Sequence, residues 1–145
     1  MDSGDETTIA TLRDAARAMT SVTASIGDEI RALSDARNAI DAAVSERLAV
    51  MEESREHEAE GASSIGTWAR RELNQDAGLT RQMVRAARTF RELPAVGEAA
   101  RSGAISFEHV NSFTYALKHV GVDETRLIEE PLLEVAKHVA PCPRS

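Results

Sequence analysis

The sequence has little cysteine, few aromatic side chains and no long apolar run, and each shortage excludes a class of protein. Its 145 residues include a single cysteine, Cys142, so an internal disulfide framework cannot form. A lone cysteine fits a reducing compartment, and residues 1–26 lack the apolar core of a secretion leader, so we expect a cytoplasmic protein. No apolar stretch approaches the roughly 20 residues that a membrane span needs, so we expect no membrane partner.

The composition predicts an all-α fold. Aromatic residues make up only 3% of the chain, Ala, Leu, Arg and Glu are abundant, and no segment alternates β-branched with polar residues. We predict a long N-terminal helix or helix pair followed by a compact multi-helix domain that contains a helix-turn-helix. The predicted segments are a coiled-coil-like stretch over 1–60, the helix-turn-helix domain over 61–140 and a tail over 141–145.

Charge is distributed unevenly along the chain. The formal net charge is −7, which taken alone argues against a nucleic-acid partner. Residues 1–60 carry 14 acidic and 6 basic side chains, whereas residues 61–101 carry 4 acidic side chains and 7 arginines. Local fields steer a charged ligand more than the total charge does. The positive charge therefore lies in the predicted helix-turn-helix.

Residues 5–58 show apolar positions spaced by alternating threes and fours, which is coiled-coil-like spacing over about six heptads. The seam positions are Ile9, Leu12, Ala16, Met19, Thr23, Ile26, Ile30, Leu33, Arg37, Ile40, Val44, Arg47 and Met51, and the polar Thr23, Arg37 and Arg47 make the seam imperfect. Because Gly27 can interrupt a helix, we allow one helix or two that meet near it. Two interpretations stay open: the helices fold onto the rest of the domain, or residues 5–58 form a homodimer.

The acidic run over residues 52–60, ended by Gly61, predicts a solvated helix end and linker. A second interpretation is that this run shields nearby arginines when DNA is absent.

Residues 73–88 predict a short helix, a tight turn and a second helix. Gly78 is expected to close the turn with positive φ, and Thr80 is expected to cap the second helix. The side chains expected to lock the two helices together are Leu73, Ala77, Leu79, Val84 and Ala87.

The second helix of this pair has a basic side and an apolar side. Arg81, Arg85 and Arg88 share one stripe, and residues 83, 84, 87 and 90 form the opposite side, which we expect to face the core. A packed helix with a basic outer face is what entry into a DNA major groove requires. The predicted contacts to double-stranded DNA are Thr80, Arg81, Gln82, Arg85, Arg88 and Thr89.

Each of these contacts has a structural alternative. The arginines can form a solvated helix face, with Arg88 paired to Glu92 four residues later. Arg70, Arg71 and Arg101 can flank the groove or have purely structural roles.

Capping and helix-breaking residues divide the remaining chain into short helices. Ser63 or Ser64 is expected to cap a helix anchored by Trp68, and Pro94 to open a further helix that Gly103 stops. Further on, we expect a helix after Ser106, a stop at Gly121, a cap at Asp123 and a helix over 124–139 with Pro131 inside it.

Nothing in the sequence predicts a catalytic, metal or cofactor site. The four histidines, at positions 57, 109, 119 and 138, do not form the cluster of about four donors that zinc needs. We expect His109 to be half-buried and satisfied by a backbone group. Adjacent carboxylates such as Glu129 and Glu130 lack an apolar cleft that would raise a pKa. We therefore expect no cofactor and no metal.

Residues 78–110 resemble the helix-turn-helix region of ParB-type partition proteins. The matching elements are Gly78-Leu79-Thr80, then Leu93-Pro94, then Gly103-Ala104-Ile105-Ser106 followed by His109. Val110 stands where that family usually has alanine. The resemblance implies a DNA-recognition helix that begins near Thr80.

A wider stretch, from about Ala32 to Val139, resembles the domain of unknown function 222 family. The motifs are Gly61 with Trp68, Gly78-Leu79-Thr80, Ala87-Arg88-Thr89-Phe90, Leu93-Pro94 and Gly103-Ala104-Ile105-Ser106. Such domains commonly precede an HNH endonuclease module in proteins of a mobile-element type. The resemblance implies that the chain is truncated, and because the nuclease module is absent its activity does not carry over to these residues.

These observations predict a DNA-binding helical domain of an HNH-associated protein. The alternatives are a helical module for protein interaction and dimerisation, with the helix-turn-helix as a scaffold only, or a nonfunctional remnant of a mobile element.

Overall fold

The computed structural model describes residues 3–18 and 25–138, and that part of the chain is all-α, without a strand. Its helices are α1 (Ser3–Ala18), α2 (Ile26–Ser54), α3 (Glu56–Ala59), α4 (Ile65–Leu73), α5 (Ala77–Glu92), α6 (Pro94–Arg101), α7 (Phe107–Val120) and α8 (Val122–Ala136). The predicted fold class is confirmed. The predictions on Met19, Thr23, Val139, Cys142 and the tail 141–145 lie outside the described residues.

The chain forms two compact units, Met1–Ser34 and Asp35–Ser145. The segment boundary near residue 60 stays a prediction.

Helices α1 and α2 are separate, as one of the two alternatives predicted, and α2 continues past Ser34 into the second unit. Gly27 is the second residue of α2, so it lies inside the helix that it was expected to interrupt. The Ser25 hydroxyl caps this helix by accepting a hydrogen bond from the Asp28 amide at 3.2 Å. A 2.6 Å hydrogen bond from Arg31 to Asp28 holds the pKa of that carboxyl below its ordinary value.

Helix α5 lies at the centre of the second unit because it contributes to both of its apolar clusters. One cluster joins Ala86 and Phe90 to residues of α6, α7 and α8. The other joins Met83, Val84 and Ala87 to α2 and α4. The predicted core-facing side of α5 is confirmed, and its helical spacing lets five other helices pack against this one helix.

From α6 onward, the helix ends follow the predicted capping and helix-breaking residues with one exception. Pro94 opens α6, and Gly103 follows its end with φ 82°. A Cβ on Gly103 would collide with the backbone carbonyl of Asp35, so the close approach requires glycine as well. The exception is α8, whose cap residue is Gly121, with Asp123 inside the first turn.

Helix α7 begins with a reciprocal cap that the sequence only partly indicated. The Ser106 hydroxyl accepts from the His109 amide at 3.3 Å, and His109 Nδ1 accepts from the Ser106 amide at 3.4 Å. A histidine thus takes the place that glutamate or glutamine usually has in this motif. This confirms that His109 is half-buried and satisfied by a backbone group.

Among residues 3–18 and 25–138, no helix has the length and apolarity to cross a lipid bilayer.

Candidate functional site

Helices α4 and α5 are joined by residues 74–76, and the turn is built differently from our prediction. The residue with left-handed backbone is Asn74, at φ 52°, and Gly78 lies inside the first turn of α5. The cap of α5 is Asp76, whose Oδ2 accepts from the amides of Gly78 at 2.8 Å and Leu79 at 3.3 Å. Asparagine tolerates positive φ and aspartate is a strong N-cap, so the same turn forms four residues earlier.

Two of the six predicted DNA contacts lie on the core side of α5. Thr80 is fully buried; its hydroxyl donates to the Asp76 carbonyl at 3.1 Å and accepts from Gln75 Nε2 at 2.8 Å. Thr89 is also buried and shares a 2.6 Å hydrogen bond with the Thr114 hydroxyl. Neither hydroxyl reaches the surface, which corrects their prediction as phosphate contacts.

The other four predicted contacts share the outer side of α5. Arg81, Arg85 and Arg88 are exposed, and Gln82 is half-buried. The stripe of arginines predicted from their spacing is therefore present, opposite the core-facing side of the same helix.

The close contact between α4 and α5 comes from small residues. Leu73 and Leu79, which we expected to lock the helices, are 47% and 41% exposed. Val84 and Ala87 are buried, as expected. Gly66 was not predicted: a Cβ added there would lie 3.1 Å from the Cβ of Ala77. The missing side chain of Gly66 lets α4 approach the start of α5.

Trp68 is half-buried against the cluster that joins α2, α4 and α5. Its indole Nε1 donates to Glu60 Oε2 at 3.1 Å. The predicted anchor of α4 therefore has its ring on the core and its polar edge towards the linker.

Part of the arginine charge is neutralised by α2. Arg88 donates to Glu52 at 2.9 Å and Arg91 donates to Glu53 at 2.6 Å. The alternative pairing of Arg88 with Glu92 is not formed, because Glu92 lies 3.7 Å from Arg126 of α8. The first residues of the acidic run thus contact the arginine stripe instead of forming only a solvated helix end.

Two of the three possible flanking arginines are held in a similar way. Arg71 donates to Glu72 and to the Glu60 carbonyl, each at 2.9 Å, and Arg101 lies 2.6 Å from Glu46. These contacts favour structural roles for Arg71 and Arg101.

Three exposed arginines differ from these pairs. Within residues 3–18 and 25–138, Arg70, Arg81 and Arg85 have no hydrogen-bonded or ion-paired side-chain partner. All three belong to the α4–α5 pair. Arg13 of α1 and Lys118 of α7 also have none, so the α4–α5 pair holds three of the described cationic side chains that are open to an outside ligand.

The histidines and carboxylates do not assemble into a metal site in the part of the chain that the structure describes. His57 is buried with Nδ1 at 3.4 Å from the Met51 carbonyl, which is a structural position.

A family model described as Domain of unknown function (DUF222) matches residues 27–139. The chain belongs to the DUF222 family. The match covers α2 to α8, and so includes the α4–α5 pair and its open arginines. No curated protein and no solved structure matches this DUF222 chain.

Proposed function

We propose that this DUF222 chain binds double-stranded DNA, with α4 and α5 acting as a helix-turn-helix and α5 entering the major groove. The observation that supports the proposal is the exposure of the Arg81 and Arg85 side chains, which are unpaired in the described part of the chain. Both are exposed and lack a carboxylate partner among the described residues, on a helix whose opposite side is fixed in two apolar clusters. A rigid helix with open guanidinium groups suits groove recognition.

Each side chain has a role that follows from its chemistry. Arginine can donate two hydrogen bonds to the O6 and N7 of guanine, and glutamine can bond the edge of adenine. We assign base contact to Gln82 and Arg85, and contact with the adjacent phosphate to Arg81. Arg88 shares its charge with Glu52 at 2.9 Å, so it contributes fully only when that pair opens.

The overall acidity of the chain is compatible with this role. The net charge of −7 comes mainly from residues 1–60, while α5 presents arginines without carboxylate partners. Local positive potential guides a phosphate backbone even on an acidic protein. Association should therefore weaken strongly as salt rises.

The experiment compares two double variants by fluorescence anisotropy with labelled duplex DNA. Arg81→Ala with Arg85→Ala should lower affinity by at least about tenfold. Arg71→Ala with Arg91→Ala removes the same formal charge from two paired arginines and should have a much smaller effect. Equal losses in the two variants would contradict a specific role for the outer side of α5.

The wider context of this function is also a proposal. Domains of the DUF222 type commonly precede an HNH endonuclease module. We therefore propose that the chain recognises DNA for such a module in the cytoplasm.

Self-association is a second candidate function, favoured by apolar side chains in the first unit. Ile26, Ile30 and Leu33 follow each other at i, i+4 and i+7 on α2 and are 63%, 60% and 41% exposed. On α1, Leu12 is 62% exposed. Such a stripe is typical of a coiled-coil seam, and a second copy of the chain would bury it.

Sedimentation velocity of the full chain tests the dimer. The wild type should sediment as a dimer, and Ile30→Lys should convert it to a monomer, while Arg31→Ala, next to the stripe, should remain dimeric. A wild type that stays monomeric at high concentration would exclude this role.

A further inference from the structure

A cleft of about 380 Å³ lies beside α5 on the side of α4. Its walls are the first turn of α4 with its cap (residues 64–67), Arg70, Ala77, Arg81 and Glu52. Since water takes about 30 Å³ per molecule, the cleft has room for a phosphate group and the atoms attached to it.

Arg70 and Arg81, which both lack a partner among the described residues, line this one cleft. Arg70 comes from the last turns of α4 and Arg81 from the first turns of α5. Two guanidinium groups converging from different helices can hold an anion by charge-assisted hydrogen bonds. Neighbouring Arg71 is not in the cleft lining and is paired to Glu72.

The backbone of α4 adds donors to the same wall. The Ser64 hydroxyl accepts from the Thr67 amide at 3.1 Å. The amides of Ile65 and Gly66 lie in the first turn of α4, where no helical carbonyl is available to accept from them. Ile65 and Gly66 both line the cleft, and Gly66 has no side chain that would cover its amide. The positive end of the helix dipole thus supports the two arginines.

One wall residue is acidic, and its charge is compensated. Glu52 Oε1 accepts from Arg88 at 2.9 Å. An anion in the cleft would compete with this carboxylate for the nearby arginines, so Glu52 should weaken binding without preventing it.

We infer that this cleft binds a phosphodiester group of the DNA backbone next to the groove that α5 enters. The inference rests on the proposed function and deepens it: Arg85 faces the bases, while Arg70 and the start of α4 hold the strand. A contact of this kind fixes the position of a recognition helix without reading sequence.

The first arm of the test uses inorganic phosphate and the full chain. Amide resonances are followed by NMR while phosphate replaces chloride at constant ionic strength. The Ile65 and Gly66 amides should shift and saturate, and Arg70→Ala should weaken this response at least about fivefold. The matched control Arg71→Ala should respond as the wild type does.

The second arm uses duplex DNA. Arg70→Ala should weaken binding by a similar factor for every duplex sequence and reduce the slope of log affinity against log salt by about 0.9. Arg71→Ala should leave that slope unchanged.

The outcomes separate the two proposals. If duplex binding depends on Arg81 and Arg85 while Arg70→Ala changes neither the phosphate response nor the salt slope, the cleft proposal is wrong and the DNA proposal stands. If phosphate binds in an Arg70-dependent way but duplex DNA does not bind, the DNA backbone is excluded as the ligand and free phosphate is its source.

Discussion

The Glu129 carboxylate accepts a hydrogen bond at 3.1 Å from the backbone amide of Val96, 33 residues earlier in the chain. This bond caps the first turn of α6 with a side chain of α8, where a negative charge suits the helix dipole. One turn before it on α8, Arg126 Nε donates to the Glu92 carbonyl at 2.9 Å, at the end of α5. Helix α8 therefore holds both sides of the α5–α6 junction, whose central residue Leu93 is fully buried.

Removal of this cap should destabilise the fold. Glu129→Ala leaves the buried Val96 amide without an acceptor, and we expect a loss of about 1–3 kcal/mol in the free energy of unfolding. Urea denaturation followed by circular dichroism measures it. The adjacent Glu130→Ala removes an exposed carboxylate and should change stability by less than about 0.5 kcal/mol. Equal losses would show that the carboxylate at 129 does not act as a cap.

Gly103 should not tolerate a side chain. A left-handed backbone costs an L-residue about 1–2 kcal/mol, and a Cβ there would also collide with the Asp35 carbonyl. We expect Gly103→Ala to lower the free energy of unfolding by more than about 2 kcal/mol. Ala104→Ser adds one heavy atom to the exposed neighbour and serves as the control in the same denaturation experiment. A Gly103→Ala variant as stable as this control would contradict the close approach.

The Glu53–Arg91 pair should be visible in carboxyl titrations. Hydrogen bonding from Arg91 lowers the pKa of Glu53 from its ordinary value of 4.5. Because the folded pKa lies below the unfolded one, the pair stabilises the fold above about pH 4.5, and this contribution is lost as the pH falls through the folded value. Carbon-detected NMR should show the Glu53 pKa rising in Arg91→Ala.

Asp41 provides the internal control for this titration. Burial raises the pKa of Asp41 above its ordinary value of 3.8. Its shift should persist in Arg91→Ala, since desolvation and not Arg91 causes it. A Glu53 pKa that does not respond to the loss of Arg91 would disprove the pair in solution.

The Glu52 carboxylate should lower the affinity for duplex DNA. Glu52→Gln removes the carboxylate from the cleft wall and releases Arg88, so we expect duplex affinity to rise about two- to fivefold, the range that an exposed ion pair allows. Glu98→Gln removes an equal charge from α6 and is the matched control. An affinity for duplex DNA that is unchanged or lower in Glu52→Gln would show that the Glu52 carboxylate does not weaken binding.

The sequence predicted the parts of the site that depend on spacing within one helix. The positions of Met83, Val84, Ala87 and Phe90 at helical intervals fixed which side of α5 faces the core. The outward direction of the arginines followed from the same interval.

Turn chemistry was harder to predict, because several residues near the turn had suitable properties. Thr80 and Gly78 match the usual cap and stop preferences, but Asp76 and Asn74 satisfy them four residues earlier. Thr80 then falls on the buried side of the helix. A shift of this size moved one predicted contact from the surface to the core.

Pairings between distant helices could not be read from the sequence. The bonds of Arg88 to Glu52 and of Val96 to Glu129 join residues 36 and 33 positions apart. Such contacts depend on how α2 and α8 pack against α5 and α6. Which arginine is paired and which is open is therefore a property of the tertiary structure.

The salt dependence of duplex DNA binding tests the central claim most directly. Each neutralised phosphate contributes about −0.9 to the slope of log affinity against log salt. If Arg70, Arg81 and Arg85 all engage DNA, replacing all three with alanine should flatten the slope by at least about 0.9 units, the contribution of the phosphate held in the cleft. The matched variant without Arg71, Arg91 and Arg101 should retain the wild-type slope. If both triple variants keep that slope, or if the wild type does not bind duplex DNA at low salt, these three arginines are not a DNA-binding surface.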